Sequence, residues 1–374
     1  MKIFSFLFFL FITAPFWAQP GTTLPTVQIS PQFVANLSVG NEETSGLFFR
    51  NDTLFSINDS GNAPELKGID PANGQTLKTW TIANAQNQDW EALTASPTDF
   101  FIGDIGNNMG ARQYFQVYKI SINSLAGVDT LNALQQTYYL PNQPSVNLPM
   151  NAHNFDAEAF AYWNDSLHIF SKNWANLWTK HYVLPSHWQD TISAQLVDSF
   201  FVDGLITDAA YNANTQQLYL LGYKQQSSGM YTSFMWAFWD DSVQVFNGFR
   251  RRIELGSALV LSQTEGLCLT GQYNGFISGE QISSVITIPA KIHAWSVEDI
   301  MTAGMEKLVP GLYFFENTLY LPESFNEILT LVDMNRKVVL KTERGKSKYN
   351  LERLPPGVYY LMANDWYYKW LKNS

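Results

Sequence analysis

A three-residue pattern recurs five times along this chain and limits its possible folds more than any other feature. An acidic or small residue is followed by Ala or Gly and then by an apolar residue. The copies begin at Ser45, Glu91, Glu158, Asp208 and Glu265, at intervals of 46, 67, 50 and 57 residues. Each copy is followed 9 or 10 residues later by an apolar run. Repeats of this length indicate one supersecondary unit per copy, stacked so that neighbours bury its apolar faces.

The segments between the repeated patterns predict β-strands. They are short and alternating, are separated by Asn, Gly, Pro, Asp and Ser, and lack a sustained 3.6-residue period. We therefore predict an all-β fold with a five-bladed β-propeller over residues 26–303, in which residues 26–34 supply the fourth strand of the fifth unit. Six blades are the alternative, because the 67-residue interval has room for a degenerate blade. An irregular β-sandwich is a further alternative.

Residues 306–374 have a different character and predict a second, smaller domain. Short strands are separated by turn residues at Asn335-Arg336 and at Pro355-Pro356-Gly357. About seventy residues with six or seven such strands suit a small Ig-like β-sandwich. A carbohydrate-binding or fibronectin-like appendage is the general alternative.

Residues 1–18 have the pattern of a signal peptide. Lys2 precedes an apolar run, and Ala18 offers a cleavage point. A membrane anchor is the alternative, but the run is interrupted by Pro15 and is too short to span about 30 Å of hydrocarbon. No later segment of the sequence is long and apolar enough to be a transmembrane segment, so we expect an exported protein.

Charge and cysteine content exclude several classes of function. The chain has 23 basic and 33 acidic residues, a net charge of −10, which disfavours binding to nucleic acid. Its single cysteine, Cys268, excludes internal disulfides and a cysteine-based zinc site.

The C-terminal region resembles a known family, the type A C-terminal sorting domain of the type IX secretion system of Bacteroidetes-type bacteria. The resemblance lies in residues 331–340 (LVDMNRKVVL), residues 354–361 (LPPGVYYL) and a basic ending. It implies that the type IX secretion machinery is a partner and that the protein passes through the periplasm and the outer membrane to the cell surface or the medium. The residues that would carry the sorting signal are Asn335, Lys337, Gly357, Lys369 and Lys372.

The repeat region also resembles secreted β-propellers of the same bacteria. The matching pieces are residues 58–62 (NDSGN), 89–91 (DWE), 103–108 (GDIGNN), 156–158 (DAE) and 170–174 (FSKNW). This resemblance implies a fold and a location, and no activity.

Acidic residues at equivalent repeat positions form the candidate site. In a strand, residues i and i+2 point to the same face, so Asp89 and Glu91 present two carboxylates side by side, as do Asp156 and Glu158. With Asp208 and Glu265, these acids are expected to converge near the propeller axis. Oxygen ligands in an exported protein favour Ca²⁺ over transition metals. The candidate calcium ligands are Glu91, Asp104, Glu158 and Glu265; in the alternative interpretation the acids only accept hydrogen bonds from backbone N–H groups of neighbouring blades.

A second repeated motif places polar loops at the ends of strands. Asp59-Ser60-Gly61-Asn62 and Asp104-Ile105-Gly106-Asn107 are offset by 45 residues, close to the 46 between Ser45 and Glu91. The ligand-binding candidates therefore include Asp59, Asn62, Asp104 and Asn107. Ordinary turn chemistry also explains Asp, Gly and Asn at these positions.

Two functions remain open from the sequence. The first is an exported, monomeric binding propeller for a glycan or small molecule. The second is a secreted hydrolase, glycan- or ester-cleaving, that uses channel carboxylates or bound Ca²⁺. Whether the protein is an enzyme stays undecided at this point. Trp174, Trp178 and Trp188 suit either an aromatic platform for sugars or interblade packing.

Overall fold

The computed structural model describes residues 22–300 and 312–372, apart from 145, 187, 189–190, 240–243, 284–285, 316, 323–324, 326 and 364–366. The predicted signal peptide therefore lies outside the described residues, as does the junction between the two predicted domains. Among the described residues, no helix is long and apolar enough to cross a membrane.

The described chain is almost entirely β-structure. Its first strands are β1 (Thr22–Gln28), β2 (Gln32–Asn36), β3 (Thr44–Arg50), β4 (Thr53–Asn58), β5 (Glu65–Ile69), β6 (Thr76–Ile82), β7 (Trp90–Ala95), β8 (Asp99–Asp104), β9 (Phe115–Ser121), β10 (Thr130–Leu131), β11 (Leu134–Tyr139), β12 (Ala157–Trp163) and β13 (Ser166–Ser171). There follow β14 (Trp178–Pro185), β15 (Ile192–Ser193), β16 (Gln195–Phe201), β17 (Leu205–Asn212), β18 (Gln217–Gln225), β19 (Tyr231–Trp239), β20 (Phe249–Ser257), β21 (Gln263–Leu269), β22 (Asn274–Glu280), β23 (Ile282–Ser283), β24 (Thr287–Ile288) and β25 (Lys291–Ser296). Helical structure is limited to the one-turn helix α1 (Ala258–Leu261) and two 3₁₀ turns, Ile122–Leu125 and Val245–Asn247.

These strands form five sheets of four or five strands, with a short hairpin of β23 and β24 beside them. The strand orders are β10-β6-β5-β4-β3, β15-β11-β9-β8-β7, β12-β13-β14-β16, β1-β20-β19-β18-β17 and β2-β25-β22-β21. Successive strands pair antiparallel within each sheet, so every sheet is a meander with one innermost strand. The first, second and fourth sheets each gain an outermost parallel strand.

The innermost strands β3, β7, β12, β17 and β21 occupy the centre of the arrangement. Each contacts the innermost strands of two other sheets, in the order β3, β7, β12, β17, β21 and back to β3. The fold is therefore β-propeller-like. β2 from the N-terminal region pairs with β25 and provides the fourth strand of the fifth sheet. The predicted range of residues 26–34 overlaps it only in part, because residues 26–28 belong to β1, which pairs with β20 of the fourth sheet.

The amino-acid pattern of each strand reflects its distance from the centre. The second strands β4 and β8 are buried at nearly every position because neighbouring sheets cover both of their faces. The outer strand β20 alternates buried and half-buried residues, since only one of its faces is fully covered. This gradient explains why the inner strands read as continuous apolar runs in the sequence.

The C-terminal region folds as two further sheets. Its strands are β26 (Tyr313–Phe315), β27 (Thr318–Tyr320), β28 (Thr330–Asp333), β29 (Val338–Lys341), β30 (Lys348–Asn350), β31 (Gly357–Met362) and β32 (Tyr367–Lys372). They pair in the orders β26-β27-β30 and β29-β28-β31-β32. One apolar core joins the two sheets through Leu319, Leu331 and Leu361, all of which are fully buried.

The second of these sheets packs against the fourth sheet of the propeller-like region. Val332 and Tyr360 belong to the same buried cluster as Phe249 and Ile253. The rings of Phe249 and Tyr360 lie 5.1 Å apart in an edge-to-face arrangement. The C-terminal region is therefore in apolar contact with the rest of the protein.

Candidate functional site

A β-bulge near the start of every innermost strand determines which side chains face the candidate site. The register shifts by one residue in β3, β7, β12, β17 and β21. The extra residues are Gly46, Glu91, Glu158, Thr207 and Glu265. Three of the five bulges thus carry a glutamate, and a bulge re-aims the side chain it carries.

The sequence alignment of the repeats is one residue out in two of these strands. Thr207, not Asp208, occupies the bulge of β17, and Gly46, not Ser45, occupies that of β3. The three-residue pattern used to align the repeats cannot reveal this offset, because a bulge changes the strand register without changing the residue pattern.

Seven carboxyl groups and one ammonium group form what we call the acidic mouth. They lie at the edge of the sheets where the innermost strands begin, which we call the mouth edge. Its members are Asp59, Asp89, Glu91, Asp156, Glu158, Glu265, Glu280 and Lys172. These groups interact electrostatically with one another, and together they have a formal excess of six negative charges.

Lys172 is the buried cation of the acidic mouth. Its Nζ lies 2.5 Å from Glu158 Oε2, and both side chains are at most 5% exposed. The same Nζ lies 5.1 Å from the ring centroids of Trp174 and Tyr223. Burial opposes the charge on Lys172, but the surrounding carboxylates of Glu158 and Glu265 raise the pKa of the lysine well above its ordinary value.

Asp59, Asp89 and Glu91 form a tight carboxylate triad within the acidic mouth. One carboxylate oxygen from each lies within 4.8 Å of the others. Burial raises the pKa of Asp89 to about 7, and the neighbouring charges of Asp59 and Asp156 add to that effect. Burial likewise raises the pKa of Glu91 well above its ordinary value, as do the charges of Asp59 and Glu158. The triad therefore gathers more negative charge than its surroundings neutralise.

The backbone of Gly106 closes one side of the triad. A Cβ atom at this position would lie 2.5 Å from the Asp89 carboxyl carbon and 2.6 Å from Glu91 Oε1. Only a residue without a side chain allows the Asp104–Asn107 loop to approach the carboxylates this closely. The glycine at this position of the repeated polar motif is thus explained by the close approach of the loop to the carboxylates.

Several side chains that the sequence suggests as ligand-binding residues form hydrogen bonds within the protein instead. Asp156 accepts hydrogen bonds from the Asn107 backbone N–H at 2.6 Å and from the Trp174 indole N–H at 2.7 Å. Asn107 also donates its side-chain amide to the Phe155 carbonyl at 3.0 Å. These contacts connect the second sheet to the third, which agrees with the stapling interpretation for Asp156 and Asn107.

Asp208 and Asp104 are also held by partners. Asp208 is fully buried and accepts hydrogen bonds from the backbone N–H groups of Ala209 at 2.8 Å and Leu267 at 2.6 Å. Asp104 lies 2.8 Å from Arg112 in a buried ion pair. Arg112 supplies the charge that a calcium ion at Asp104 would have to replace, so Asp104 is a poor ligand candidate. No pattern in the sequence points to Arg112 as the partner, although it is only eight residues away in the following loop.

The remaining candidates border the acidic mouth. Glu265 accepts a hydrogen bond from Gln263 at 2.7 Å through Oε1, while its buried Oε2 has no hydrogen-bond partner in the described structure. Asn62 donates to the carboxylate of Glu43 and to the backbone carbonyl of Asp59. The structure therefore brings together Asp59, Asp89, Glu91, Glu158 and Glu265, whereas the Asp208 carboxylate is occupied by backbone N–H groups of the innermost strands.

A cavity lies beyond the acidic mouth along the central axis. Its volume is about 220 Å³, and its lining comes from all five innermost strands, including Leu47, Leu93, Tyr162, Ala209 and Leu267. None of the described residues that line this cavity is charged. The charged groups at the centre of the arrangement therefore lie at the mouth edge and not in this cavity.

Exposed aromatic side chains lie on the mouth edge at the outer strands of three of the sheets. In the described part of the chain, the exposed aromatic residues are Phe33, Tyr114, Tyr139, Trp178, Phe201 and Tyr231. Five of them, all except Phe33, lie at strand ends on the mouth edge. Trp178 and Phe201 form a pair with ring centroids 5.9 Å apart, and Tyr114 and Tyr139 form another at 6.3 Å.

The three tryptophans considered together in the sequence have separate environments. Trp178 is 41% exposed in its aromatic pair. Trp174 donates to Asp156, and Trp188 stacks on the buried Phe101 with centroids 6.4 Å apart. Trp178 is the most exposed of the three.

Comparison with known proteins identifies no family. No family model matches the chain, and no curated protein matches it. Among solved structures, the catalytic domain of the GH62 α-L-arabinofuranosidase of Coprinopsis cinerea is 12% identical, over 73% of this chain and 98% of that one, with a TM-score of 0.41. A GH43 β-1,3-galactosidase is 11% identical over 70% and 94%, with a TM-score of 0.41. Similarity at this level does not transfer an activity from one protein to another.

Proposed function

We propose that this protein is an exported five-bladed β-propeller that binds a saccharide on its mouth edge. The observation that carries the proposal is that five of the six exposed aromatic residues of the described chain lie on the same edge of the sheets as the acidic mouth. Aromatic faces stack on the C–H faces of sugar rings, and carboxylates accept hydrogen bonds from sugar hydroxyls. Both kinds of group are present on one edge of the sheets.

The five-bladed architecture is part of this proposal. It is supported by five meander sheets whose innermost strands contact one another in sequence and line one cavity. The two C-terminal sheets with a shared core support the Ig-like sandwich. We expect the protein to act as a monomer, with the aromatic residues of the mouth edge available to ligand.

The binding proposal predicts a specific loss when the aromatic pair is broken. Trp178→Ala should weaken binding of the best oligosaccharide found in a glycan array by about five- to thirtyfold, because the variant removes a stacking face worth about 1–2 kcal/mol. Isothermal titration calorimetry measures the change. Phe33→Ala is the matched control, since Phe33 is 58% exposed but lies away from the mouth edge. Equal affinities for Trp178→Ala and wild type, or no bound saccharide at all, would overturn the proposal.

A hydrolase is the second candidate, and one observation favours it. Burial raises the pKa of Asp89 to about 7, which suits a carboxylic acid that donates a proton near neutral pH. One oxygen from each carboxylate lies within 4.8 Å of the others, a spacing of single oxygens that is nearer to the roughly 5–5.5 Å between the carboxyl groups of retaining glycosidases than to the 6.5–9.5 Å of inverting ones. We favour binding without cleavage because exposed aromatic residues lie on the same edge. Release of reducing ends from the bound oligosaccharide would reverse that preference.

We also propose that residues 306–374 direct export by the type IX secretion machinery to the cell surface or medium. The proposal rests on the sorting-domain resemblance and on the solvent-exposed positions of Asn335 and Lys337. Lys372 has a different environment. Its Nζ is buried and donates to the backbone carbonyls of Leu351, Glu352 and Leu354. Lys372 therefore stabilises the domain from within instead of presenting its charge.

Deletion of residues 306–374 should leave the protein in the periplasm of a bacterium that has the secretion system. Fractionation and immunoblotting measure the distribution between periplasm, surface and medium. The apolar contact of Tyr360 with Phe249 will be lost, so protease resistance of the truncated protein should be checked as a control for folding. A truncated protein that reaches the medium at the wild-type level would contradict the sorting assignment.

A further inference from the structure

We propose that the triad of Asp59, Asp89 and Glu91 binds one Ca²⁺ ion. The inference goes beyond saccharide binding, because it concerns a different ligand and different side chains. It depends on the geometry and on the unmatched hydrogen-bonding groups of the triad. It also holds if the mouth edge binds no sugar.

The spacing of the triad fits a calcium ion. Calcium–oxygen distances are about 2.3–2.6 Å, so two oxygens bound to one Ca²⁺ lie at most about 5 Å apart. One carboxylate oxygen each from Asp59, Asp89 and Glu91 lies within 4.8 Å of the other two. Ca²⁺ accepts six to eight oxygen ligands in flexible geometry, so water and ligand oxygens complete the shell.

The carboxylate of Glu91 provides a second, independent reason. The side chain is 95% buried, yet no side chain or backbone N–H of the described residues donates a hydrogen bond to its carboxylate. Asp89 likewise receives no donor on its carboxylate among the described residues, although its backbone N–H and carbonyl are paired. Glu91 thus lacks a hydrogen-bond donor from the described protein, and a cation that enters past the half-buried Asp59 and Asp89 would compensate its charge.

The surroundings of the triad fit a cation better than a further hydrogen-bond donor. Gly106 closes one side so tightly that a Cβ would come within 2.6 Å of both Asp89 and Glu91. The buried cation Lys172 is already paired with Glu158 at 2.5 Å. The unpartnered Oε2 of Glu265, itself in a side chain 96% buried, adds negative potential from the fifth sheet.

Oxygen-only ligands also decide the type of metal. Carboxylates are hard ligands that suit Ca²⁺ and Mg²⁺ rather than zinc or copper. Mg²⁺ needs near-ideal octahedral geometry at about 2.0–2.1 Å and keeps its waters. A site with three carboxylates from two chain segments, the loop after β4 and the start of β7, is better suited to the longer bonds of Ca²⁺.

The test is isothermal titration calorimetry of CaCl₂ into the full-length protein after dialysis against chelator. We expect one site per chain and at least tenfold tighter binding of Ca²⁺ than of Mg²⁺. Glu91→Gln and, as a second variant, Asp59→Asn should each weaken Ca²⁺ binding at least tenfold. Asp99→Asn is the control. Asp99 lies 3.6 Å from Lys119 in an ion pair that is not part of the triad, so this substitution should not change the affinity for Ca²⁺.

The thermal stability of the same proteins gives an independent readout. Ca²⁺ should raise the melting temperature of wild type and of Asp99→Asn, because a ligand that binds only the folded state stabilises it. The Glu91→Gln variant should melt at the same temperature in Ca²⁺ and in chelator. Absence of calcium binding by wild type, or an unchanged affinity in both triad variants, would overturn the proposal. Calcium binding by a protein that binds no saccharide would overturn only the proposed function.

Discussion

Lys172→Met is expected to destabilise the protein by about 3–5 kcal/mol, because it leaves buried carboxylates without their cation. Lys172 Nζ lies 2.5 Å from Glu158 and is the ammonium group with which Glu91 and Glu265 also interact. Chemical denaturation monitored by tryptophan fluorescence measures the loss. The matched control is Lys224→Met, because the pair of Lys224 with Asp203 is one-third or more exposed on both sides. Exposed pairs contribute only about 0–1 kcal/mol.

The loss caused by Lys172→Met should depend on pH. Burial raises the pKa of Glu158 and Glu265, and the ammonium of Lys172 opposes that rise. Without Lys172, these carboxyl groups will take up protons more readily in the folded protein. A carboxyl group whose pKa is higher in the folded than in the unfolded protein stabilises the fold at low pH. This contribution to the free energy of unfolding is lost as the pH rises from the unfolded to the folded pKa. The difference between variant and wild type should therefore be smaller at pH 5 than at pH 8.

A double variant separates the charge effect from a packing effect. Adding Glu158→Gln to Lys172→Met should restore part of the lost stability, because the second change removes the carboxylate left unpaired by the first. If the double variant is no more stable than Lys172→Met, and if the loss does not vary with pH, then the ammonium group does not compensate the acidic mouth.

The second large effect is expected at Asp208. Asp208→Ala should cost about 2–5 kcal/mol, because the backbone N–H groups of Ala209 and Leu267 lose their acceptor in a fully buried place. The free energy of unfolding in denaturant measures the cost. The control is Asp129→Ala, since Asp129 is 82% exposed in its pair with Lys78. A loss below about 1 kcal/mol would show that water or a shifted backbone replaces the carboxylate.

Asp208 also distinguishes a staple from a ligand site. Its hydrogen bond to Leu267 joins β17 to β21, two innermost strands that are not paired within one sheet. The loss on Asp208→Ala should therefore be the same with Ca²⁺ and with chelator. The triad variant Glu91→Gln should respond to Ca²⁺ in the opposite way, by losing only the stability that the ion provides.

The sequence by itself determined the repeated sheets and the edge on which the acids lie. Period-two alternation and buried apolar runs specify strands locally, and the recurrence of Glu91, Glu158 and Glu265 places equivalent side chains at equivalent points. Gly106 is specified in the same way, since its motif repeats that of Gly61. These are local properties of the chain, so they can be inferred without knowing which segments meet.

Only the tertiary structure decided which acids are free and which are paired. Asp156 meets the backbone of Asn107, which is 49 residues away, and Asp208 meets Leu267, which is 59 residues away. The burial of Lys372 and the exposure of Trp178 also depend on segments distant in sequence. A residue pattern records which side chains are present at a position, but hydrogen-bond partners and burial depend on how the sheets pack. That packing provides no hydrogen-bond donor, among the described residues, for the carboxylates of Asp89 and Glu91.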